Sequence, residues 1–411
     1  MIIRKSEFNY ILFVFCIYFF IFKDAFVNSI PFLGYADELF ALMAIPCFVL
    51  NLSKNNFKIK IKENKIVLFI IIFCICGFVG NLIWKYQPLF RVAIPDLYLN
   101  IKFWMAIYAG GYFFSKVNID KYGRKISRHI VIIMCIWAIL IFADYIVPGH
   151  LFEAQIRYGM RSTQLYYEVH TFFAAACSFL IALLTLVKNK TNHFEVKICI
   201  LLLMLASTLR SKAFGAIILY MVIYFYVFLR KKKINAMTVI VTALAGLFIA
   251  WSQIQFYFFS NIKDDSARNM LLLKCFKVAK DYFPFGAGFG TFASYYSGKY
   301  YSPLYSLYSL SNVHGLKFDD VAFVSDSFWP MIIGQNGYIG VVCYALALVF
   351  LLKKINFYFK IKKEYYAAAL FALGYLGISS LAESAFVNSF AIPLAMVIGM
   401  IIFRNKSEVT G

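Results

Sequence analysis

Apolar residues run along this chain in blocks long enough to cross a lipid bilayer, with polar stretches between them. A crossing takes roughly 17–25 predominantly apolar residues. By that measure the pattern predicts about twelve spans, near 8–22, 36–52, 66–83, 99–115, 129–147, 169–187, 196–209, 213–229, 237–256, 327–352, 365–381 and 384–403. The expected fold class is an all-α polytopic integral membrane protein, with 1–411 as a single transmembrane domain. Between the ninth and tenth spans the pattern breaks into a loop of about 70 residues, 257–326. The other connections read as much shorter, and a connection of that length is seldom mere linkage.

Composition strengthens the membrane reading. The 411 residues are 62% apolar and 15% charged, with a mean hydropathy of +0.73. A soluble domain is nearer about half apolar and a quarter charged. The 46 Phe and 29 Tyr suit aromatic belts at the two interfaces.

The net charge of +21 raises the question of nucleic acid, and its distribution answers it. With the N-terminus inside, the inner segments are 1–7, 53–65, 116–128, 188–197, 230–235, 353–364 and 404–411. They hold 26 Lys and Arg against 6 acidic residues, and the rest of the chain holds 15 against 14. The excess is therefore a topology signal of the positive-inside kind, which places both termini in the cytoplasm and the large loop outside. No nucleic-acid partner is implied. The N-terminal stretch lacks a small-residue cleavage site, so it reads as a retained first helix. Eight of the nine cysteines fall in spans, and Cys275 in the loop has no evident partner. Neither a disulfide framework nor a zinc spacing is present, and no metal or cofactor is expected.

Ionisable residues at a membrane edge are costly unless they have work to do. Here they gather at the outer ends of spans: Asp37, Glu38, Arg91, Asp96, Asp144, Arg157, Arg161, Glu168, His170, Arg210, Lys212 and Glu383. Singly, each fits an interfacial anchor. Together they predict an outward-opening cavity holding both cations and carboxylates. Arg210 and Lys212 lie on a tight turn between two spans, which fits either an anion site or a pair of anchors. The planar fork of arginine matches phosphate oxygens bidentately.

Within the loop, residues 266–283 read as an amphipathic helix with Leu272, Leu273, Phe276, Ala279 and Phe283 on one face. Lys274, Lys277 and Asp281 lie off that face, and Pro284 ends the helix. Such a helix can rest on membrane lipid with its lysines near the phosphates. Gly286-Ala287-Gly288-Phe289-Gly290 lacks the spacing of a nucleotide fingerprint. It marks backbone that needs positive φ or close approach. Tyr295, Tyr296, Tyr300, Tyr301, Tyr305 and Tyr308 follow, suited to stacking on sugar rings or to floating at the interface.

These residues carry a resemblance. Arg268, then Tyr282-Phe283-Pro284-Phe285-Gly286-Ala287-Gly288-Phe289-Gly290, is similar to the outer loop of the O-antigen polymerase and O-antigen ligase superfamily. There, an Arg-led helix runs into a Pro-x-x-Gly-x-Gly turn. Leu209-Arg210-Ser211-Lys212-Ala213-Phe214-Gly215 resembles that superfamily's Arg-bearing start of a span. At the loop exit, ligases carry a His and a small polar residue, then nine residues, a Gly, two residues and a Gly, Thr or Tyr. Here Asp326-Ser327 precedes the same spacing to Gly337 and Gly340, with Asp326 where a ligase has His. That departure turns the resemblance toward the polymerases. A related branch, the peptidoglycan glycosyltransferases of the cell-shape and division group, relies on an outer-face Asp.

The resemblance implies an inverting, metal-independent glycosyltransferase of the bacterial cytoplasmic (inner) membrane. It would join undecaprenyl pyrophosphate-linked oligosaccharide units into O-antigen, capsular or exopolysaccharide, with a separate chain-length regulator protein as partner. Arg210 and Arg268 would face the leaving pyrophosphate, supported by Lys212 and Lys277. Tyr295, Tyr300, Tyr301, Glu168 and His170 would contact sugar. Asp326 would be the base that activates the acceptor hydroxyl, with His314, Asp319 and Asp320 as alternatives. The alternative readings are an O-antigen ligase and a flippase for the same lipid-linked unit.

Overall fold

The computed structural model describes residues 5–54, 64–235 and 267–404. The expected span 237–256 and the start of the large loop, 257–266, lie outside the described residues. The long helices are α1 (Lys5–Phe26), α4 (Lys65–Trp84), α5 (Ile94–Phe114) and α6 (Ile119–Ile146), followed by α7 (Phe172–Leu186), α8 (Phe194–Ala206) and α9 (Ser211–Ile223). The stretch expected as one span at 36–52 is instead two helices, α2 (Ala36–Leu42) and α3 (Ala44–Lys54), behind a 3-10 turn at Pro31–Tyr35. Past the loop, α13 (Phe328–Phe357), α14 (Lys363–Ser379) and α15 (Ala391–Ile402) complete the bundle. Among the described residues, six stretches are long and apolar enough to cross a membrane: Ser6–Phe26, Pro31–Asn51, Lys65–Trp84, Ile119–Ile146, Ser211–Leu229 and Phe328–Lys360. An all-α membrane protein is the architecture.

The short helices α7 and α15 form the centre of the bundle. Almost every residue of each is buried. At 1.5 Å per residue, the 12 residues of α15 span about 18 Å, short of the roughly 30 Å hydrocarbon thickness. A helix apolar on all sides is stable only when surrounded, and α5 and α14 pack against α15 while α14 and α8 pack against α7.

At one end, several lysine-rich connections meet. Lys362 and Lys190 both pair with Asp120, at 3.0 and 3.5 Å, and Asn189 donates to Glu364 at 2.8 Å. Asn118 caps α6 there by accepting from the Lys121 N–H at 2.9 Å. The opposite end carries the large loop.

That loop contains α10 (Ala267–Asp281), α11 (Tyr295–Lys299) and α12 (Leu304–Leu307). Helix α10 is the expected amphipathic helix with its face rotated. Ala267, Leu271, Cys275, Val278 and Ala279 are the buried residues, packed on α13. Leu273, Phe276 and Phe283 are exposed instead. Cys275 is thus a core residue, and burial pushes its thiol up to about 12.

The glycine turn is threaded into the bundle rather than displayed. Asn81 of α4 brackets it, accepting from the Phe289 N–H at 2.8 Å and donating to the Phe289 carbonyl at 2.9 Å. The Gly290 N–H donates to Asp96 at 2.8 Å, and the Ala287 and Gly288 N–H groups donate to the carbonyls of Gly334 and Gln335. Those carbonyls are available because α13 breaks at Gly337 (φ +63°, ψ −170°). Gly286 (φ +78°) meets that break so closely that a Cβ there would lie 2.4 Å from the Gly337 N. Only glycine satisfies both the conformation and the approach.

Candidate functional site

The loop-bearing end assembles charges from four segments distant in sequence. Lys212, on the first turn of α9, pairs with Glu383 at 2.5 Å, and both side chains are largely buried at 9% and 17% exposed. Arg268, on the first turn of α10, pairs with Asp326 at 2.9 Å, each about a third exposed. The Arg210 guanidinium donates to Gln155 Oε1 at 3.1 Å, and Arg157 donates to the same oxygen at 3.2 Å. Lys212 lies close enough to Arg210 and Arg268 to feel both charges.

Local structure explains the convergence. The Leu209 backbone is left-handed (φ +52°), which ends α8 and turns Arg210 to extended φ/ψ just before α9. Thr163 N–H donates to the Ser207 carbonyl at 2.9 Å, holding the connection after α6 against that turn. This connection, from 147 to 171, carries the hairpin of β1 (Ile156–Arg157) and β2 (Met160–Arg161) and so delivers Gln155 and Arg157. Arg161 folds back to Asp144 at 2.7 Å, and the Asp144 carboxylate also accepts from the Leu151 and Phe152 N–H groups. On the far side, Ser384 donates to the Ser325 carbonyl at 2.6 Å. That bond fixes the Glu383 turn beside the loop exit that bears Asp326.

The expected site residues therefore separate. Arg210, Lys212, Arg268 and Asp326 come together. Lys277 does not join them: its ammonium sits 5.8 Å from the Tyr308 ring centroid, beside the Tyr308 to Asp281 hydrogen bond of 2.7 Å. His314 is 75% exposed and faces Asp320 at 3.5 Å. The Gly315 N–H, with the His314 and Lys317 charges behind it, holds the Asp320 carboxyl below its usual range. That pairing closes a local turn. Asp319 is exposed on the loop surface.

Tyr301 donates to the Leu316 carbonyl at 2.8 Å and packs on Tyr305 and Phe318, so it ties the loop to itself. Tyr295 and Tyr300 form a partly exposed patch with Lys299, and Arg91 donates to the Tyr300 hydroxyl at 3.3 Å. Glu168 is exposed, and His170 contacts Gln164 Oε1 just before α7 begins. Burial, with the Arg210 and Arg157 charges behind it, holds the His170 imidazole below its usual range. His170 thus borders the arginine cluster as a neutral, two-sided hydrogen-bonding group.

Glu383, Gln155 and Arg157 are the additions. Glu383 and Arg157 were visible as edge charges, but nothing in their spacing joined them to Arg210. A second cavity lies alongside, about 610 Å³ in volume, lined by Lys23, Asp24, Asp37, Glu38, Lys102 and Glu168 among others. Phe172 and Asn388 line both this cavity and a pocket of about 10 Å³ reaching Glu383. Among the described residues no group of His, Cys, Asp and Glu is arranged to hold a metal ion.

Fold and site together define an α-helical membrane protein with a mixed-charge site at its loop-bearing end. No protein-family model matches the chain, and no curated protein matches it either.

Proposed function

We propose that this protein is a polymerase of lipid-linked oligosaccharide units, acting on the outer face of a bacterial cytoplasmic membrane. About twelve spans with both termini inside belong to the same reading. The observation that carries it is the meeting of Arg210, Lys212 and Arg268, from two segments more than fifty residues apart, with the carboxylates of Asp326 and Glu383. Three fixed cations suit a leaving pyrophosphate, because donors placed where charge develops need no reorganisation during reaction. Adjacent carboxylates suit removal of a proton from an incoming sugar hydroxyl.

The reaction is a single displacement. The acceptor oxygen bonds to the anomeric carbon of the growing chain as the bond to pyrophosphate breaks. Undecaprenyl pyrophosphate leaves with the electron pair, and the hydroxyl proton passes to a carboxylate. Asp326 is oriented by Arg268, and Glu383 by Lys212, so each carboxylate is held beside a cation that also faces the leaving group. Membrane lipid supplies the polyprenyl environment, and a separate regulator sets chain length.

The test is complementation of a deletion strain. Arg210→Ala and Arg268→Ala should each abolish long-chain polymer while the protein still inserts, leaving single repeat units at the surface. Normal polymer from both variants would remove the pyrophosphate assignment. A strain with no surface repeat units would point instead to a carrier.

A further inference from the structure

The cavity beside the arginine cluster has a different chemistry. Two lysines there are internally committed: Lys102 pairs with Asp37 at 2.7 Å and with Glu38 at 3.1 Å, and Lys23 pairs with Asp24 at 3.3 Å. Four carboxylates, Asp24, Asp37, Glu38 and Glu168, face two ammonium groups around one opening. Three polar atoms of the lining are buried and have no hydrogen-bond partner: Asp24 Oδ2, Glu38 Oε2 and Ser389 Oγ. Asp24 itself is only 9% exposed.

Buried polar atoms are satisfied in the great majority of cases, so a cluster of orphans pointing at one cavity asks for an occupant. Two of the three are carboxylate oxygens, which can only accept. The occupant must therefore bring several donors. Its size class is set by the volume of about 610 Å³, within the roughly 300–1,000 Å³ of small-molecule sites. Phe172, Val27, Val387 and Pro31 add apolar surface beside the polar lining. The surplus of carboxylates repels an anion.

We propose that this cavity is a sugar subsite that seats a neutral or ammonium-bearing pyranose by its hydroxyl donors and rejects a uronic acid. Asp24 and Glu38 accept from adjacent ring hydroxyls, and Ser389 completes the set from the opposite wall. The subsite is separate from the arginine cluster, and the shared lining residues Phe172 and Asn388 place it next to Glu383. Assigning its sugar to the repeat unit rests on the polymerase reading; the binding chemistry does not.

Saturation-transfer NMR on the purified full chain in detergent tests it, with glucose, glucosamine and glucuronate as probes. Glucose and glucosamine should give transfer, and glucuronate at least fivefold less. Asp24→Asn and Ser389→Ala should each lower the glucose signal at least threefold while eluting as the wild type does. Equal transfer to glucuronate, or undiminished transfer to glucose in both variants, would overturn the proposal. So would a signal from glucosamine alone that ammonium chloride displaces, which would mark simple cation capture. Arg268→Ala should keep glucose transfer. A chain that binds glucose yet makes no polymer would therefore sink the polymerase reading and leave this subsite standing.

Discussion

At the residue scale, the informative contrast is between Asp326 and His314. Both stood as candidates for the base, and both belong to the same loop. The structure puts Asp326 against Arg268 within the cluster, while His314 points outward beside Asp320. Asp326→Asn should therefore abolish polymer and His314→Ala should leave it near wild type. Polymer from the first and none from the second would reverse the assignment. The Lys212–Glu383 pair is a second case, because it is mostly buried. Breaking a buried pair from one side costs about 3–5 kcal/mol, whereas replacing both partners by neutral groups is often tolerated. Glu383→Gln alone should lower the unfolding temperature in detergent. Adding Lys212→Met should restore stability without restoring polymer. Recovery of both together would show that the pair only holds the fold.

At the element scale, the glycine turn and α10 change their meaning. The turn looked like loop backbone and is a plug, held by Asn81, Asp96 and the break in α13 at Gly337. Asn81→Ala would strand the buried Phe289 N–H and carbonyl, each costing about 1–3 kcal/mol. The variant should therefore unfold at a clearly lower temperature, with Asn81→Asp intermediate because it keeps the acceptor. An unchanged transition would show that water takes over both groups. Helix α10 was legible as amphipathic, since leucine, phenylalanine and lysine recur at helical spacing. Its inner face was not legible, because apolar residues lie on two sides. Leu271, Cys275 and Val278 meet α13, and Leu273, Phe276 and Phe283 are left outside. That outer stripe suits the lipid interface. A tryptophan at Phe276→Trp should be quenched by brominated lipids in proteoliposomes, and unquenched emission would place the stripe in water.

At the scale of the whole molecule, the charge pattern and the fold make one joint statement. Segments 116–128, 188–197 and 353–364, expected together on the inner side, do meet at one end through Asp120. Arg210, Lys212 and Asp326 meet at the other. In a cysteine-free background, Tyr295→Cys should react with an impermeant maleimide on intact cells. Lys363→Cys should react only after permeabilisation. Equal labelling of both from outside would break the expected topology.

The sequence by itself determined the class, the helical content and the sidedness expected of the loop. Those follow from local composition: long apolar runs must bury their backbone in helices, and lysines resist translocation. It also determined that Arg210, Lys212, Arg268 and Asp326 were worth attention, because charge at a membrane edge is costly. Only the tertiary structure decided which of those charges share a site. Pairing Lys212 with Glu383 spans about 170 residues of chain, and bringing Gln155 under two arginines depends on a hairpin in a connection that read as mere linkage. The cavity of Asp24, Glu38 and Ser389 was invisible for the same reason: its walls come from α1, α2 and the turn before α15, and no local pattern records their meeting.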